Sequence, residues 1–207
     1  WDAFLALIAR HFDRFPQRSG TPVIEEQLFA NSRIFREKDT EQVQLCIGYR
    51  GYALGQDELY ALSMFSNALG GGMSSRLFQR IREELGLAYS IFSYPSSYPA
   101  LGTFTVYAGT SPKKAETVIR EMQEQMKTAL EAGFSDEEFQ SAKAQLKGGY
   151  LLGLESSSGR MQSIGRSMLH LNRLRTADEI LSKIDAVTKK ALHDSAEHVL
   201  NSPASAA

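Results

Sequence analysis

The sequence predicts an α+β fold in which one antiparallel β-sheet carries helices packed on one face. Segments with the two-residue alternation of β-strands are concentrated in the first 110 residues, whereas segments with helical spacing fill nearly all of the remainder. This segregation is typical of α+β packing rather than of alternating parallel α/β units. At 207 residues and 43% hydrophobic residues, the chain can bury a sizeable core.

The N-terminal segment is expected to be a helix followed by a linker. Four apolar residues recur there at helical spacing, namely Phe4, Leu7, Ile8 and Phe12. Residues 16–31 are polar and include Gly20 and Pro22, which is typical of a connection. We therefore expect residues 1–24 to be a terminal helix and linker, and residues 25–207 to be the main domain.

Alternating or apolar runs predict four strands, at residues 32–38, 42–51, 88–94 and 102–109. The last two enclose a segment with two prolines and two serines, residues 95–100, which predicts a hairpin loop. The single cysteine, Cys46, lies within the second strand. It excludes an intrachain disulfide, and we interpret it as a core thiol rather than a nucleophile.

Helical spacing and capping residues predict seven further helices. Four are expected over residues 57–69, 75–85, 112–133 and 158–171. The other three begin at capping residues: Ser135 with Glu138, Thr176 with Glu179, and Thr188. We expect Gly70 to end the helix over residues 57–69 in the left-handed conformation. Ser74 or Ser75 is expected to cap the helix over residues 75–85, and Gly86 is expected to end it.

Composition excludes several functional classes. The formal net charge of -1 gives no electrostatic reason to expect nucleic acid or an anionic membrane as a partner. No apolar run approaches the roughly 20 residues that span a bilayer, and the N-terminal residues lack the basic region of a signal peptide. Low cysteine content fits a reducing compartment, so we expect a cytoplasmic protein.

The histidine-rich segment His193–His198 resembles a His-x-x-Glu-His zinc motif with one residue too many. Residues five apart are separated by about 140° around an α-helix, so the two histidines do not share a face. Gly70–Gly72 lacks the Gly-Lys-Ser/Thr of a phosphate-binding loop. We therefore expect neither a metal site nor a catalytic residue in this chain.

The helix predicted over residues 75–85 has a buried stripe formed by Leu77, Phe78, Ile81 and Leu85. Arg76 and Arg80 can pair with Glu83 or Glu84 at helical spacing. Arg82 lies beside the stripe, and Tyr89 follows shortly after the Gly86 stop, so both side chains could reach one rim of the sheet and offer hydrogen bonds. Alternatively, Arg82 pairs with a nearby carboxylate and Tyr89 is half-buried core.

The run from Leu69 to Phe78, continued by Ile81-Arg82-Glu83 and Gly86-Leu87-Ala88-Tyr89-Ser90, resembles a signature of the pitrilysin-like zinc metallopeptidases, the group of insulysin and the mitochondrial processing peptidase. The match is to the second half of those proteins, which has no zinc ligands. Further similarity lies in residues 107–110, 154–161 and 184–188, and the likeness covers roughly residues 25 to 200.

The resemblance implies the C-terminal, substrate-binding half of a zinc metalloendopeptidase that cleaves peptides, unfolded segments or presequences in a closed chamber. Arg82 and Tyr89 correspond to an Arg and Tyr that grip the substrate backbone. Zinc would be held by the N-terminal half through a His-x-x-Glu-His motif and a distal Glu, so this half alone would be inactive and metal-free.

The implied partners are a peptide substrate and the zinc-bearing N-terminal half, and a homodimer is left open. Two alternatives remain. The chain could be a non-catalytic assembly subunit of the same fold, like the core subunits of respiratory complexes. It could also be a separate zinc-less subunit of a two-chain peptidase.

Overall fold

The computed structural model describes residues 1–15 and 29–207, so nearly all of the expected linker, and the boundary at residue 24, lie outside the described residues. In chain order the elements are α1 (Asp2–Phe12), β1 (Val43–Gly51), α2 (Glu58–Gly70), a π-helix (Phe78–Glu84), β2 (Ala88–Ser97), β3 (Gly102–Thr110), a 3-10 turn (Pro112–Lys114), α3 (Ala115–Glu131), α4 (Asp136–Gly153), α5 (Ser157–Leu171), α6 (Ala177–Ala186), α7 (Lys189–Leu200) and β4 (Ser205–Ala206).

The strands form one antiparallel sheet in the order β2-β3-β1-β4. Alternate residues of β3 are buried because they face the helices, as Phe104, Val106 and Ala108 do. The predicted α+β class, with helices against an antiparallel sheet, is confirmed.

The core is centred on α2, which packs between the sheet and helices α4 and α7. Leu62, Phe65 and Leu69 of α2 are fully buried, and the Phe65 ring lies 5.2 Å from that of Phe104 on β3. Burial of large apolar side chains of this kind supplies most of the free energy that stabilises a domain.

The strand predicted over residues 32–38 does not form. In its place there is a single bridge, between Arg33 and Ala206, because the outer edge of β1 is already paired with β4. Phe35, which the strand prediction would have placed in a sheet, is 87% exposed. The two-residue strand β4 was not predicted.

The second face of the sheet, which we call the open face, carries Cys46, Tyr107, Phe92 and Tyr94. The Cys46 side chain is half-buried there rather than in the main core. Its burial raises the pKa of the thiol above its ordinary value, which disfavours the nucleophilic thiolate. The prediction that Cys46 is a core thiol is therefore wrong about its location, because the side chain lies outside the main core. The raised thiol pKa supports the other part of the prediction, that Cys46 is not a nucleophile.

Helix α1 has the predicted apolar stripe but buries none of it. All of its large apolar side chains are exposed: Phe4, Leu5, Leu7, Ile8 and Phe12. Within residues 1–15 and 29–207, no helix has both the length and the apolar character needed to cross a bilayer.

Candidate functional site

The glycine-rich turn after α2 allows that helix to approach β2 very closely. Gly70 is helical and does not have the left-handed conformation that we expected. A β-carbon at this position would lie 2.7 Å from both the backbone nitrogen and the hydroxyl oxygen of Ser93. Glycine is therefore required here by contact with β2 rather than by backbone conformation.

Arg76 anchors the start of the following helix to the turn between α3 and α4. Its Nε and Nη2 atoms donate to the two carboxylate oxygens of Glu138 at 2.5 and 2.8 Å, and Nη2 also donates to the carbonyl of Gly133 at 2.6 Å. The guanidinium lies 4.3 Å from the centre of the Phe134 ring. The expected pairing of Arg76 within its own helix is wrong, because Glu138 offers both carboxylate oxygens.

Glu138 also completes the predicted capping box, accepting from the Ser135 amide at 2.7 Å while the Ser135 hydroxyl accepts from the Glu138 amide at 3.1 Å. The Arg76 guanidinium and these bonds hold the pKa of the Glu138 carboxyl at about 2. The ionised carboxylate of Glu138 thus joins residues 69–90, which we call the motif segment, to the start of α4.

The predicted α-helix over residues 75–85 becomes a π-helix over Phe78–Glu84. The Leu85 amide donates to the carbonyl of Arg80, five residues back, at 3.2 Å. The wider turn explains why Ile81 is fully buried whereas Leu85, predicted to share its stripe, is exposed. Neither Ser74 nor Ser75 accepts a capping bond; instead the Ser75 hydroxyl donates to the Gly72 carbonyl at 2.6 Å. Short π-helical turns are rare and frequently occur at functional sites.

Arg82 lies on the exposed side of the π-helix. Its guanidinium is 4.8 Å from the centre of the Phe78 ring, and its side chain is 45% exposed. Among the described residues, the carboxylate within 4 Å is that of Glu83, at 3.9 Å. By contrast, Arg80 makes the predicted pair with Glu84, at 2.8 Å. Arg82 therefore keeps hydrogen-bond donors available for a ligand.

The turn between Arg82 and Tyr89 is held by three hydrogen bonds. The Lys114 ammonium donates to the Gly86 carbonyl at 2.7 Å, and the Thr110 hydroxyl donates to the Leu87 carbonyl at 2.5 Å. The Leu87 amide donates to the carbonyl of Ile81 at 2.8 Å. Gly86 has a φ of 56°, a left-handed conformation in which glycine is favoured. These contacts fix where the π-helix ends and β2 begins.

Tyr89 is the extra residue of a β-bulge. Ala88 pairs with Thr110 and Ser90 pairs with Gly109, leaving Tyr89 outside the regular ladder. Ala88 and Ile91 are consequently both buried although they are three residues apart, and Tyr89 is 64% exposed. Bulges commonly redirect a side chain in this way. Tyr89 is not half-buried core, which removes that part of the alternative interpretation.

No metal centre accompanies this pair. Over residues 1–15 and 29–207, no three His, Cys, Asp or Glu side chains are grouped so as to hold a metal ion. His193 lies 3.6 Å from Glu197, whereas His198 stacks on Tyr52 with ring centres 4.5 Å apart. Zinc therefore does not fit the described residues.

Comparison with known proteins defines the family. A profile described as the Peptidase M16 inactive domain matches residues 2–146. This chain belongs to the M16 peptidase family, as an inactive domain. An uncharacterized zinc protease of Bacillus subtilis, YmxG, is 37% identical over 186 residues, which is 90% of this chain and 46% of that protein. The uncharacterized zinc protease Rv2782c of Mycobacterium tuberculosis is 35% identical over 205 residues, 97% of this chain and 47% of that protein.

Solved structures show the same fold. The peptidase M16 inactive domain from Pseudomonas fluorescens superposes with a TM-score of 0.86 at 21% identity, covering 99% of this M16 domain and 49% of that chain. A protease from Helicobacter pylori gives a TM-score of 0.84 at 20% identity, with 99% and 51% coverage. This M16 domain spans about half the length of the curated relatives that it matches.

Sequence reasoning predicted Arg82 and Tyr89 as site residues but missed the contacts that hold the surrounding segment in place. The bond from Arg76 to Glu138 joins residues 62 positions apart, which no local pattern reveals. The bulge did leave a signal, since apolar Ala88 and Ile91 are three residues apart in a strand whose other apolar residues should alternate.

Proposed function

We propose that this M16 domain is the substrate-binding half of a zinc metalloendopeptidase, and that Arg82 and Tyr89 hold the backbone of a peptide. The observation that carries the proposal is that both side chains are exposed, at the two ends of the hydrogen-bonded turn between them. The Arg82 guanidinium has only the distant contact with Glu83, at 3.9 Å, among the described carboxylates. The names of the relatives, which call them zinc proteases, support the same function.

In this proposal the Arg82 guanidinium donates to a substrate carbonyl, and the Tyr89 hydroxyl donates to the same or a neighbouring carbonyl. When cleavage begins, these donors stabilise negative charge that develops on oxygen. A charge-assisted hydrogen bond of this kind contributes roughly 1.5–3 kcal/mol. The zinc ion and the activated water belong to a companion half, with the peptide enclosed in a chamber between the two halves.

The exposed apolar stripe of α1 supports a companion half. Isolated apolar side chains are normal on a protein surface, but a contiguous stripe marks an interaction surface. Phe4, Leu7 and Ile8 would be covered by that half in the complete peptidase.

The second candidate function is a non-catalytic assembly role. A chain of Complex III2 from Candida albicans has the same fold, with a TM-score of 0.78 at 18% identity. A zinc-less subunit of a two-chain peptidase would use Arg82 and Tyr89 as proposed above.

The proposal is tested by Arg82→Ala in the protein containing both halves. We expect kcat/KM for an unfolded peptide to fall about 10- to 100-fold, because a charged hydrogen bond to substrate is lost. Tyr89→Phe removes one neutral donor and should lower kcat/KM by roughly 3- to 10-fold. Peptide hydrolysis and thermal unfolding would be measured together, to separate activity from stability.

Arg166→Ala, on the exposed surface of α5, is the matched control and should leave kcat/KM unchanged. If Arg82→Ala leaves kcat/KM unchanged while the parent protein cleaves peptides, Arg82 does not bind substrate. If the parent protein cleaves nothing, the assembly role is favoured instead.

A further inference from the structure

Strand β2 forms one edge of the sheet, and β3 is its single strand partner among the described residues. Natural edge strands are usually protected from further pairing by charged residues, prolines or bulges. Residues 88–97 contain no charged side chain. Protection comes from the bulge at Tyr89 and from Pro95, and it leaves the five residues between them, 90–94, as an unprotected strand edge.

The same five residues present aromatic rings on the open face of the sheet. The Phe92 ring stacks on Tyr107 of β3 with ring centres 4.6 Å apart, and it lies 5.8 Å from the ring of Tyr94. Phe92 and Tyr94 are 42% and 40% exposed. The Tyr107 hydroxyl donates to the side-chain oxygen of Gln44 on β1, which fixes the ring on which Phe92 rests.

The residues of β3 that pair with Ser90, Phe92 and Tyr94 are uncharged. Along the ladder, Ser90 lies opposite Gly109, and Tyr94 lies opposite Thr105. A ligand side chain placed here meets aromatic carbon, hydroxyl groups and backbone, so an apolar or aromatic side chain is favoured over a charged one.

We infer that the free edge of β2 between Tyr89 and Pro95 binds an extended peptide as an additional strand, with alternate apolar side chains of that peptide resting on Phe92 and Tyr94. This inference rests on the proposed function, since the peptide is taken to be the one held by Arg82 and Tyr89. It adds the substrate class: extended segments with uncharged, apolar residues at every second position.

The dimensions favour a peptide over a second copy of the chain. Five strand residues span about 17 Å, whereas a stable dimer buries about 800 Å² on each partner. Less than half of each ring is exposed, so this strip is too small to hold a dimer by itself. Tyr89 lies at the start of β2, so one extended peptide can contact both the edge of β2 and the side chains of Arg82 and Tyr89.

Strand addition uses main-chain hydrogen bonds for affinity and alternate side chains for selectivity. Because successive residues of a strand point their amides to opposite sides, only every second amide of the peptide faces β2. Methylating the peptide nitrogens one at a time should therefore weaken binding at alternate positions, a pattern that contact through side chains alone would not produce.

The test measures binding of a fluorescent eight-residue peptide with phenylalanine and serine in alternation to the full 207-residue chain, by fluorescence anisotropy. We expect roughly tenfold weaker binding for methylation at alternate nitrogens and little change for the others. Phe92→Ser combined with Tyr94→Ser should weaken binding roughly tenfold. Phe35→Ser, at another exposed phenylalanine, is the control and should bind normally.

Methylation effects without a two-residue period, or unchanged binding by the Phe92/Tyr94 variant, would overturn the inference. If Arg82→Ala still lowers cleavage in that case, the proposed function survives and the edge alone is wrong. If neither cleavage nor binding responds to any of these changes, both proposals fail. A dimer of the chain that Phe92→Lys dissociates would assign the edge to a second copy.

Discussion

The α-carbon of Gly70 faces the backbone of β2, where a methyl group would lie 2.7 Å from the Ser93 nitrogen and 3.1 Å from a methyl of Leu77. Next to Gly70, Ser66 of α2 and Ser93 of β2 form a buried pair, with their hydroxyl oxygens 3.2 Å apart. Helical glycine ordinarily costs about 1 kcal/mol relative to alanine. At this residue the close packing of α2 against β2 outweighs that cost, because an added methyl group would clash with both the backbone nitrogen and the hydroxyl of Ser93.

Gly70→Ala is therefore expected to destabilise the domain by about 1–3 kcal/mol, because overpacking moves α2 away from β2. Gly148→Ala in α4 is the matched control, since no atom lies within 4 Å of the added carbon. It should stabilise the chain by up to about 1 kcal/mol through helix propensity. Urea unfolding of both variants gives the two free energies; a stabilising Gly70→Ala would contradict the packing argument.

At the scale of elements, the link from Arg76 to Glu138 holds the motif segment against the start of α4. Its strength depends on ionisation of Glu138, whose pKa of about 2 lies below the ordinary value of 4.5. A depressed carboxyl pKa contributes stability that is fully present above pH 4.5 and is lost as the pH falls toward 2.

Glu138→Gln should retain the capping box, because glutamine also accepts from the cap amide, but lose the charge. We expect this variant to be less stable than the wild type by about 1–2 kcal/mol at pH 7. The difference should narrow below pH 4.5 and close near pH 2. Glu131→Gln, in the exposed pair with Lys127, is the control and should change the stability little at any pH. Urea unfolding between pH 2 and pH 7 measures the free energies of unfolding. If the difference in free energy between Glu138→Gln and wild type is the same at every pH, the ionised Glu138 carboxylate does not stabilise the domain.

Elements whose causes are local could be predicted from the sequence. The helix starts at Ser135, Thr176 and Thr188 are confirmed, each with the cap oxygen accepting from the amide three residues on. The false strand over residues 32–38 and the unpredicted β4 depend on which segment reaches the edge of β1, a competition between distant parts of the chain. For the candidate site, the residue types were evident, but their exposure follows from a bulge and a π-helix.

For the whole molecule, the main feature is that this M16 domain has about half the length of its relatives and no metal-binding cluster among its described residues. Within that fold, α1 exposes its entire apolar stripe. This exposed stripe is the surface that the proposed companion half would cover.

We expect this chain alone to bind no stoichiometric zinc and to cleave no unfolded peptide. Mixing it with a separately produced companion half should restore cleavage that a chelator abolishes. Zinc analysis and peptide hydrolysis of each half and of the mixture measure this. Zinc bound by this chain alone would implicate His193 or His198, and inactivity of every combination would favour the assembly role.

Because of the bulge, the position of the Tyr89 side chain depends on the number of residues between Gly86 and Ile91. Removing Ser90 would bring Tyr89 into the regular ladder opposite Gly109, and the phenol would move along the strand, away from the position set by the hydrogen-bonded turn. A single-codon deletion here could therefore abolish recognition while the domain still folds. Across evolution, the segment from Gly86 to Ile91 should resist insertions and deletions.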